Sequence, residues 1–274
     1  MLSYQHGYHA GNFADVIKHV TLTRLIDYLV QKDKPVFYLE THSGRGLYDL
    51  KDSQANKTAE YKQGISLLWE KQQQLPPVFL TYLNLLKAQN PTQTLRYYPG
   101  SPAIAIAQFR KDDRLFCCEL HPQEFEQLKQ LKRQGKRVFF SESDGIHQLK
   151  ALLPPPERRG LIFIDPAYEI KSEYKHIPQA IKQTLPHFSN GVYCLWYPLV
   201  DHYHHQQLVR NLAEIPAANT LRVEFNLTKA QSGGMTGCGL WIANPPYTLA
   251  GEMKEALDYL QSLFNPGITS YYME

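Results

Sequence analysis

Apolar residues recur along the chain in two rhythms. In GNFADVIKHVTLTRLIDYLVQKDKP, which starts at Gly11, the residues Val16, Ile17, Val20, Leu25 and Leu29 fall at helical spacing and predict an amphipathic helix. Asn12 stands where its side chain can cap the first turn, Asp15 follows three places on, and Pro35 ends the element. Elsewhere the apolar residues come in short continuous runs. VFYLETHSGRG breaks into Gly44 and Gly46, a strand followed by a glycine turn. LFCCEL (115–120), RVFFSESDG (137–145), GLIFIDPAY, GVYCLWYPL, TLRVEFNL and GCGLWIANPP supply strands two to seven. Helical patterns at 121–134, about 145–153, 173–187, 202–213 and 249–264 separate most of them.

Strands alternating with helices imply an α/β fold with a seven-stranded, mostly parallel, doubly wound sheet. Strands six and seven are joined by TKAQSGGMTGCG, a glycine-rich loop without a helix. The last strand is therefore expected to return as a hairpin, antiparallel, with Pro245 and Pro246 terminating an edge strand. One connection is too long. From Gly46 to Leu115 the chain runs for nearly seventy residues, where a single crossover helix needs far fewer. The excess holds helical patterns around 55–73 and 77–90 and is read as a helical insertion over 48–97 within one domain spanning 1–274. YYPGSP (97–102) then opens the ordinary crossover helix, and LPPPERRG (153–160) reads as a rigid surface loop.

Composition narrows the class. With 274 residues, 43% hydrophobic and 20% charged, the chain can bury a sizeable core and has the make-up of a soluble globular protein. The formal charge of +3 permits a basic patch without arguing for one. Eighteen tyrosines offer stacking faces, though most such rings serve as core. Cys117, Cys118, Cys194 and Cys238 form no C-x-x-C pair, so neither a zinc site nor a disulfide framework is expected. MLSYQHGYHAGN has no apolar signal core and no apolar run reaches bilayer length, which points to a cytoplasmic protein without a membrane partner. Nothing in the sequence demands a dimer, so a monomer is expected.

In a doubly wound sheet, ligands bind at the carboxyl ends of the strands. Strand one ends in Thr41-His42-Ser43-Gly44-Arg45-Gly46, whose glycines let backbone approach a ligand closely. Strand two ends in Glu119, an acid placed to accept both hydroxyls of a ribose. Strand three leads to Asp144-Gly145, where a carboxylate can bind the amino group of an adenine; either acid can equally be a helix cap or a solvated loop residue. Strand four ends in Asp165-Pro166-Ala167-Tyr168 and strand seven in Asn244-Pro245-Pro246-Tyr247. Both tetrapeptides look like the signature of enzymes that methylate an amino nitrogen, and the second fits it better by letter.

Taken in strand order, the glycine turn, the two acids and the D-P-x-Y resemble class I S-adenosylmethionine-dependent methyltransferases, which have a Rossmann-like fold, and among them the N6-adenine group. Strand four lies beside strand one at the switch point, so the resemblance implies that Asp165, and not Asn244, faces the cofactor's methyl group. The adenine N6 lone pair is delocalised into its ring and is a poor nucleophile. Asp165 and the Pro166 carbonyl would each accept one N6 hydrogen, favouring a tetrahedral nitrogen that attacks the sulfonium methyl in line. Asp165 would take the proton afterwards. Proline fixes the backbone and so aims that carbonyl. Tyr168 would offer a stacking face to the target base, which must leave its own stack to enter.

MLSYQHGYHAGNFADVIKH, YLETHSGRGLYDL, LRYYPGSP, ELHP, RRGLIFIDPAYE, LWYP and GMTG carry a closer resemblance. They are similar to the ribosomal large subunit methyltransferase J family, from Met1 nearly to the C-terminus and including the insertion. The resemblance implies methylation of N6 of one adenine in bacterial 23S rRNA, presented as protein-free RNA or an early assembly intermediate, with S-adenosylmethionine converted to S-adenosylhomocysteine and no metal. It implies that His19, His42, Ser101, Glu119, Asp144 and Gly145 lie at the cofactor, with Gly44 and Gly46 in the turn. Asp165 matches the catalytic acid and Tyr4 a residue at the target base. Ala167 departs from the family, which usually has a second proline there; the loop is then less rigid by under roughly 1 kcal/mol.

Other residues gain a reading from the family. Tyr4, His6 and His9 become an RNA-facing lid that orders on binding, where alone they would be a flexible tail or an accidental metal pattern. Lys18 and His19, one turn beyond Asp15, are placed to meet the methionine carboxylate of the cofactor, or else form an exposed helix face. DHYHH (201–205) suggests a metal site, but no clear set of cysteines or acids completes it. Arg158 and Arg159 contact phosphate or simply solvate their loop. The rival functions are an amino-methyltransferase acting on DNA adenine or protein glutamine, and a non-catalytic RNA-binding assembly factor.

Overall fold

The centre of the sheet is made of the runs that are apolar on both faces. In the computed structural model, which describes residues 5–200, 202–227, 235–264 and 269–274, β1 (Phe37–Glu40), β4 (Arg114–Glu119), β5 (Arg137–Glu142), β6 (Gly160–Ile164) and β7 (Val192–Leu199) run parallel. Every residue of β1 and of β6 is buried. Strands covered on both sides by helices read as unbroken apolar stretches, which is why the sequence exposes them. Successive side chains alternate, so Tyr38 enters the core on one face and Phe37 and Leu39 the core on the other.

The first face is covered by α1 (Phe13–Val30), α5 (Ser101–Gln108) and α10 (Leu249–Leu263), with Val20, Leu25, Ile104 and Leu257 fully buried. The second is covered by α7 (Gly145–Leu152), α8 (Glu173–Thr184) and α9 (His202–Ala213), through Leu149, Ile177, Ile181 and Leu208. The sheet also holds β8 (Thr220–Leu227), β9 (Gly237–Ala243) and β10 (Thr269–Met273), in the order β10-β8-β9-β7-β6-β1-β4-β5. This is a doubly wound, Rossmann-like arrangement with its switch point between β1 and its neighbours β6 and β4.

Three expectations change. The sheet has eight strands, because β10 pairs antiparallel with β8; its sequence TSYYM is too short and too near the chain end to announce itself. The seventh predicted strand, β9, is antiparallel as expected but is not an edge strand. It lies between β7 and β8 and is buried throughout, so Pro245 and Pro246 terminate an interior strand. And α1 is not a surface helix: thirteen of its eighteen residues are buried, among them Asp15, Lys18 and His19.

The insertion explains the burial of α1. It leaves the sheet at β2 (Leu47–Asp49) and returns at β3 (Tyr97–Pro99), and the two pair antiparallel as a neck. Between them lie α2 (Ser53–Thr58), α3 (Ile65–Glu70) and α4 (Leu80–Gln89), whose Ile65, Leu68, Tyr82 and Leu86 join the same core as α1. The pattern at 55–73 is two helices, interrupted by Ala59 in a left-handed conformation and by Gly64. A Cβ on Gly64 would stand 2.3 Å from the Gly11 carbonyl oxygen, and the next residue, Ile65, donates its N–H to that oxygen at 2.8 Å. Backbone meets backbone there, which requires glycine. Among the described residues no helix is long and apolar enough to cross a membrane.

Candidate active site

The carboxyl ends of β1, β4, β5, β6 and β7 share one edge of the sheet. After β1 the chain turns through Gly44 and Gly46, both at positive φ. Glu119, from the end of β4, braces this turn: its two oxygens accept the N–H of Gly44 and of His121, each at 2.7 Å. Burial pushes its pKa up. Asp144 caps α7, accepting the N–H of Ile146 at 2.8 Å. Gly145 brings that helix against the turn so closely that a Cβ would lie 2.1 Å from the Thr41 carbonyl oxygen. Ser101 opens α5 and is buried. His42 shares a hydrogen bond with the Thr41 hydroxyl, and burial lowers its pKa to about 4, so the ring is neutral at pH 7.

At the next strand end Asp165 meets α1. Lys18 Nζ lies 2.6 Å from Asp165 Oδ2 and 2.8 Å from Asp15 Oδ1, and is 3% exposed. Burial opposes its charge, but the two carboxylates outweigh burial and raise its pKa. A lysine so desolvated stays charged because it is paired on both sides. The other oxygen of Asp15 accepts the Gly11 N–H at 2.8 Å and stands 2.9 Å from His6 Nε2. Burial works against the charge of Asp15 too; His6 and Lys18 overcome it and hold its pKa well below the usual range. Lys18 thus spends its charge on Asp15 and Asp165, where the sequence suggested a cofactor carboxylate as its partner. His19 turns the other way, toward the insertion. Its Nδ1 lies 2.7 Å from the Tyr98 hydroxyl, which is 2.9 Å from that of Tyr82, and burial lowers its pKa to about 3.

The N-terminal segment is docked in this structure. His6 is held by Asp15 and stands edge-on to Tyr48, and His9 pairs with Glu60 of the insertion at 2.9 Å, which raises the histidine's pKa. Tyr4 lies outside the described residues. Tyr168 departs from its expected pose. Its backbone is left-handed at φ 53°, its hydroxyl donates to the Trp196 carbonyl at 3.3 Å, and its ring lies 4.5 Å from that of Tyr174. Only 8% of it is exposed, so most of its stacking face is covered. Pro166 is buried beside it.

The look-alike motif sits elsewhere. Because β9 runs antiparallel, Asn244 emerges at the opposite edge of the sheet, where its amide donates to the Ser189 and Gly191 carbonyls, both at 2.8 Å. Arg159 is structural, donating to the carbonyls of Leu29 and Lys34 behind α1. His205 pairs with Glu224, and among the described residues no group of three histidine, cysteine or acidic side chains is arranged to hold a metal ion.

Residues 33–273 match the family described as ribosomal RNA large subunit methyltransferase D, RlmJ. The chain belongs to that family. It is 40% identical to the ribosomal RNA large subunit methyltransferase J of Escherichia coli (strain K12), over 99% of this chain and 97% of that one. The enzyme of the same name from Haemophilus influenzae is also 40% identical, over 100% and 98%. The crystal structure of protein LPL1258 from Legionella pneumophila superposes with a TM-score of 0.93 at 55% identity, covering 97% of this chain and 98% of that one.

Within this member of the family two side chains join the site that the sequence did not single out. Asp15 reads from sequence as a capping residue; it lies one turn before Lys18 on α1, and the packing of α1 against the end of β6 joins that pair to Asp165. Glu40, the last residue of β1, is fully buried, and neither carboxyl oxygen has a hydrogen-bond partner; the Ser43 hydroxyl nearby is also buried and unpartnered. Burial raises the pKa of Glu40 to about 8; the nearby Ser101 and Tyr38 hydroxyls, which are not in hydrogen-bonding geometry with it here, only partly offset that rise. The one signal for it was an acid ending a run that is otherwise wholly apolar.

Proposed function

We propose that the protein transfers a methyl group from S-adenosylmethionine to N6 of an adenine in 23S rRNA. The observation that carries this reading is Asp165: its carboxylate stands at the switch point beside the glycine turn, with Oδ2 held by Lys18 at 2.6 Å. The carboxylate is thereby oriented, and its remaining acceptor capacity is left for an N6 hydrogen, with the Pro166 carbonyl as the second acceptor. Family membership supplies the class of substrate.

The residues at the turn suit the cofactor. Glu40 and Ser43 are buried polar groups without partners, and such groups in a native protein call for a ligand or water. Glu119 can take a ribose once the turn adjusts, and Asp144 has one oxygen not used in capping. His42, Ser101 and Gly145 line the same edge, and His19 secures α1 against the insertion. Bound S-adenosylmethionine would supply the electrophilic methyl group and leave as S-adenosylhomocysteine. Asp165 would accept the proton that N6 loses as its new bond to carbon forms. The chain's main work is holding nitrogen and methyl in line. His6 and His9, docked on Asp15 and Glu60, hold the N-terminal segment over this edge.

The test is methyl transfer from labelled cofactor to unmodified 23S rRNA by wild type, Asp165→Ala and Asn244→Ala, with duplex DNA as control. Label should enter RNA only. It should vanish in Asp165→Ala while that variant still binds cofactor, and persist in folded Asn244→Ala. A dead Asn244→Ala beside an active Asp165→Ala would place the chemistry at the other edge of the sheet.

A further inference from the structure

A row of rings leads outward from the Asp165 loop. The Tyr168 and Tyr174 centroids are 4.5 Å apart, those of Tyr174 and His204 5.1 Å, and those of His204 and Tyr203 5.3 Å with the planes at 86°. Burial falls along the row. Tyr168 and Tyr174 are buried, His204 is half-buried, and Tyr203 is 70% exposed. The topology explains the placement. Since β6 and β7 are parallel neighbours, the loop after Ile164 and the start of α9 after Leu199 emerge side by side. Ile170 and Val200, one from each of these segments, are exposed apolar side chains. The surface lies on the side of Asp165 away from the glycine turn, beyond the half of the sheet that carries Glu119 and Asp144.

A single exposed tyrosine needs no explanation. Here the ring is set edge-on by a histidine and connected through two further rings to the loop that carries Asp165. We propose that Tyr203, positioned by His204, is a stacking platform for an unpaired base that neighbours the target adenine in the RNA. The inference rests on the function proposed above. An adenine drawn out of its stack leaves adjacent bases without a partner face. Proteins that bind single-stranded RNA capture such bases on aromatic rings, because every base presents a π-face. The continuity of the row with the Asp165 loop favours RNA over a protein partner, which would have no reason to dock against the catalytic edge.

The experiment compares steady-state methyl transfer into in-vitro-transcribed 23S rRNA by the full-length wild type, Tyr203→Ala, Tyr203→Trp and Tyr247→Ala. Tyr247 is 86% exposed and follows Asn244 at the opposite edge, so it controls for loss of any surface ring. Tyr203→Ala should raise the KM for RNA about ten-fold or more, the KM for cofactor should stay within about two-fold, and Tyr203→Trp should restore the RNA value. Tyr247→Ala should match wild type. A wild-type RNA KM in Tyr203→Ala, a parallel rise in cofactor KM, or failure of tryptophan to rescue overturns the platform. If wild type binds cofactor but labels no RNA, the proposed function fails and the platform with it; if wild type is active and Tyr203→Ala is unchanged, only the platform fails.

Discussion

Glu40→Gln should make the protein more stable, and increasingly so as pH rises. The carboxyl is fully buried without a hydrogen-bond partner, and its pKa is raised from an ordinary 4.5 to about 8. Between those values the folded chain holds a proton that the unfolded chain has released, so stability falls as pH rises through the window. At about 1.36 kcal/mol per pH unit, the penalty is roughly 3 kcal/mol at pH 7 and approaches a ceiling of about 5 kcal/mol above pH 8. Glutamine has the shape of the protonated acid and never ionises. Urea unfolding of both proteins without cofactor, at fixed pH values from 5 to 8, gives the difference directly, and the other titrating groups cancel. The stability advantage of Glu40→Gln should grow by roughly 3 kcal/mol over that range. A difference that stays constant within about 0.5 kcal/mol would refute the reasoning, because it would mean that the carboxyl ionises in the folded protein without penalty.

Lys18→Met removes the cation between two carboxylates and leaves Asp15 buried with only His6 opposite it. A loss of about 3–5 kcal/mol in unfolding free energy is expected, and methyl transfer should fall even at saturating cofactor because Asp165 loses its tether. Gly145→Ala puts a methyl group against the Thr41 carbonyl oxygen, at 2.1 Å before relaxation. It should cost about 1–3 kcal/mol and weaken cofactor binding measured by equilibrium dialysis; a variant with wild-type melting temperature and affinity would show that the contact relaxes freely.

β1 and β6 were legible because every residue in them is buried, so their runs are almost unbroken by polar residues. The position of Asp165 beside β1 came from the resemblance, which supplies the strand order that the apolar runs alone do not. Two kinds of feature were not legible. Short strands such as β2, β3 and β10 draw their stability from their pairing partner, so their own residues say little. The other kind depends on contacts between distant residues. Lys18 meets Asp165 across 147 positions, and nothing local distinguishes it from an exposed helix lysine. The same holds for Tyr168, whose burial is decided by Tyr174 and Trp196.

The direction and position of β9 bear on how the chain is made. β9 separates β7 from β8, so the hydrogen-bonding edge of β7 stays open until residues near Ala243 have been synthesised. Before then β7 is an apolar strand with one unpaired edge, the kind of template that recruits strands from other chains. At about 5–20 residues per second, the 44 residues from the end of β7 at Leu199 to the end of β9 at Ala243 leave that edge uncovered for a few seconds on the ribosome. A nascent chain that stalls after α9 lacks both α10 from the first helix layer and the β9 strand that covers this edge, which makes the addition of β9 the step that closes β7.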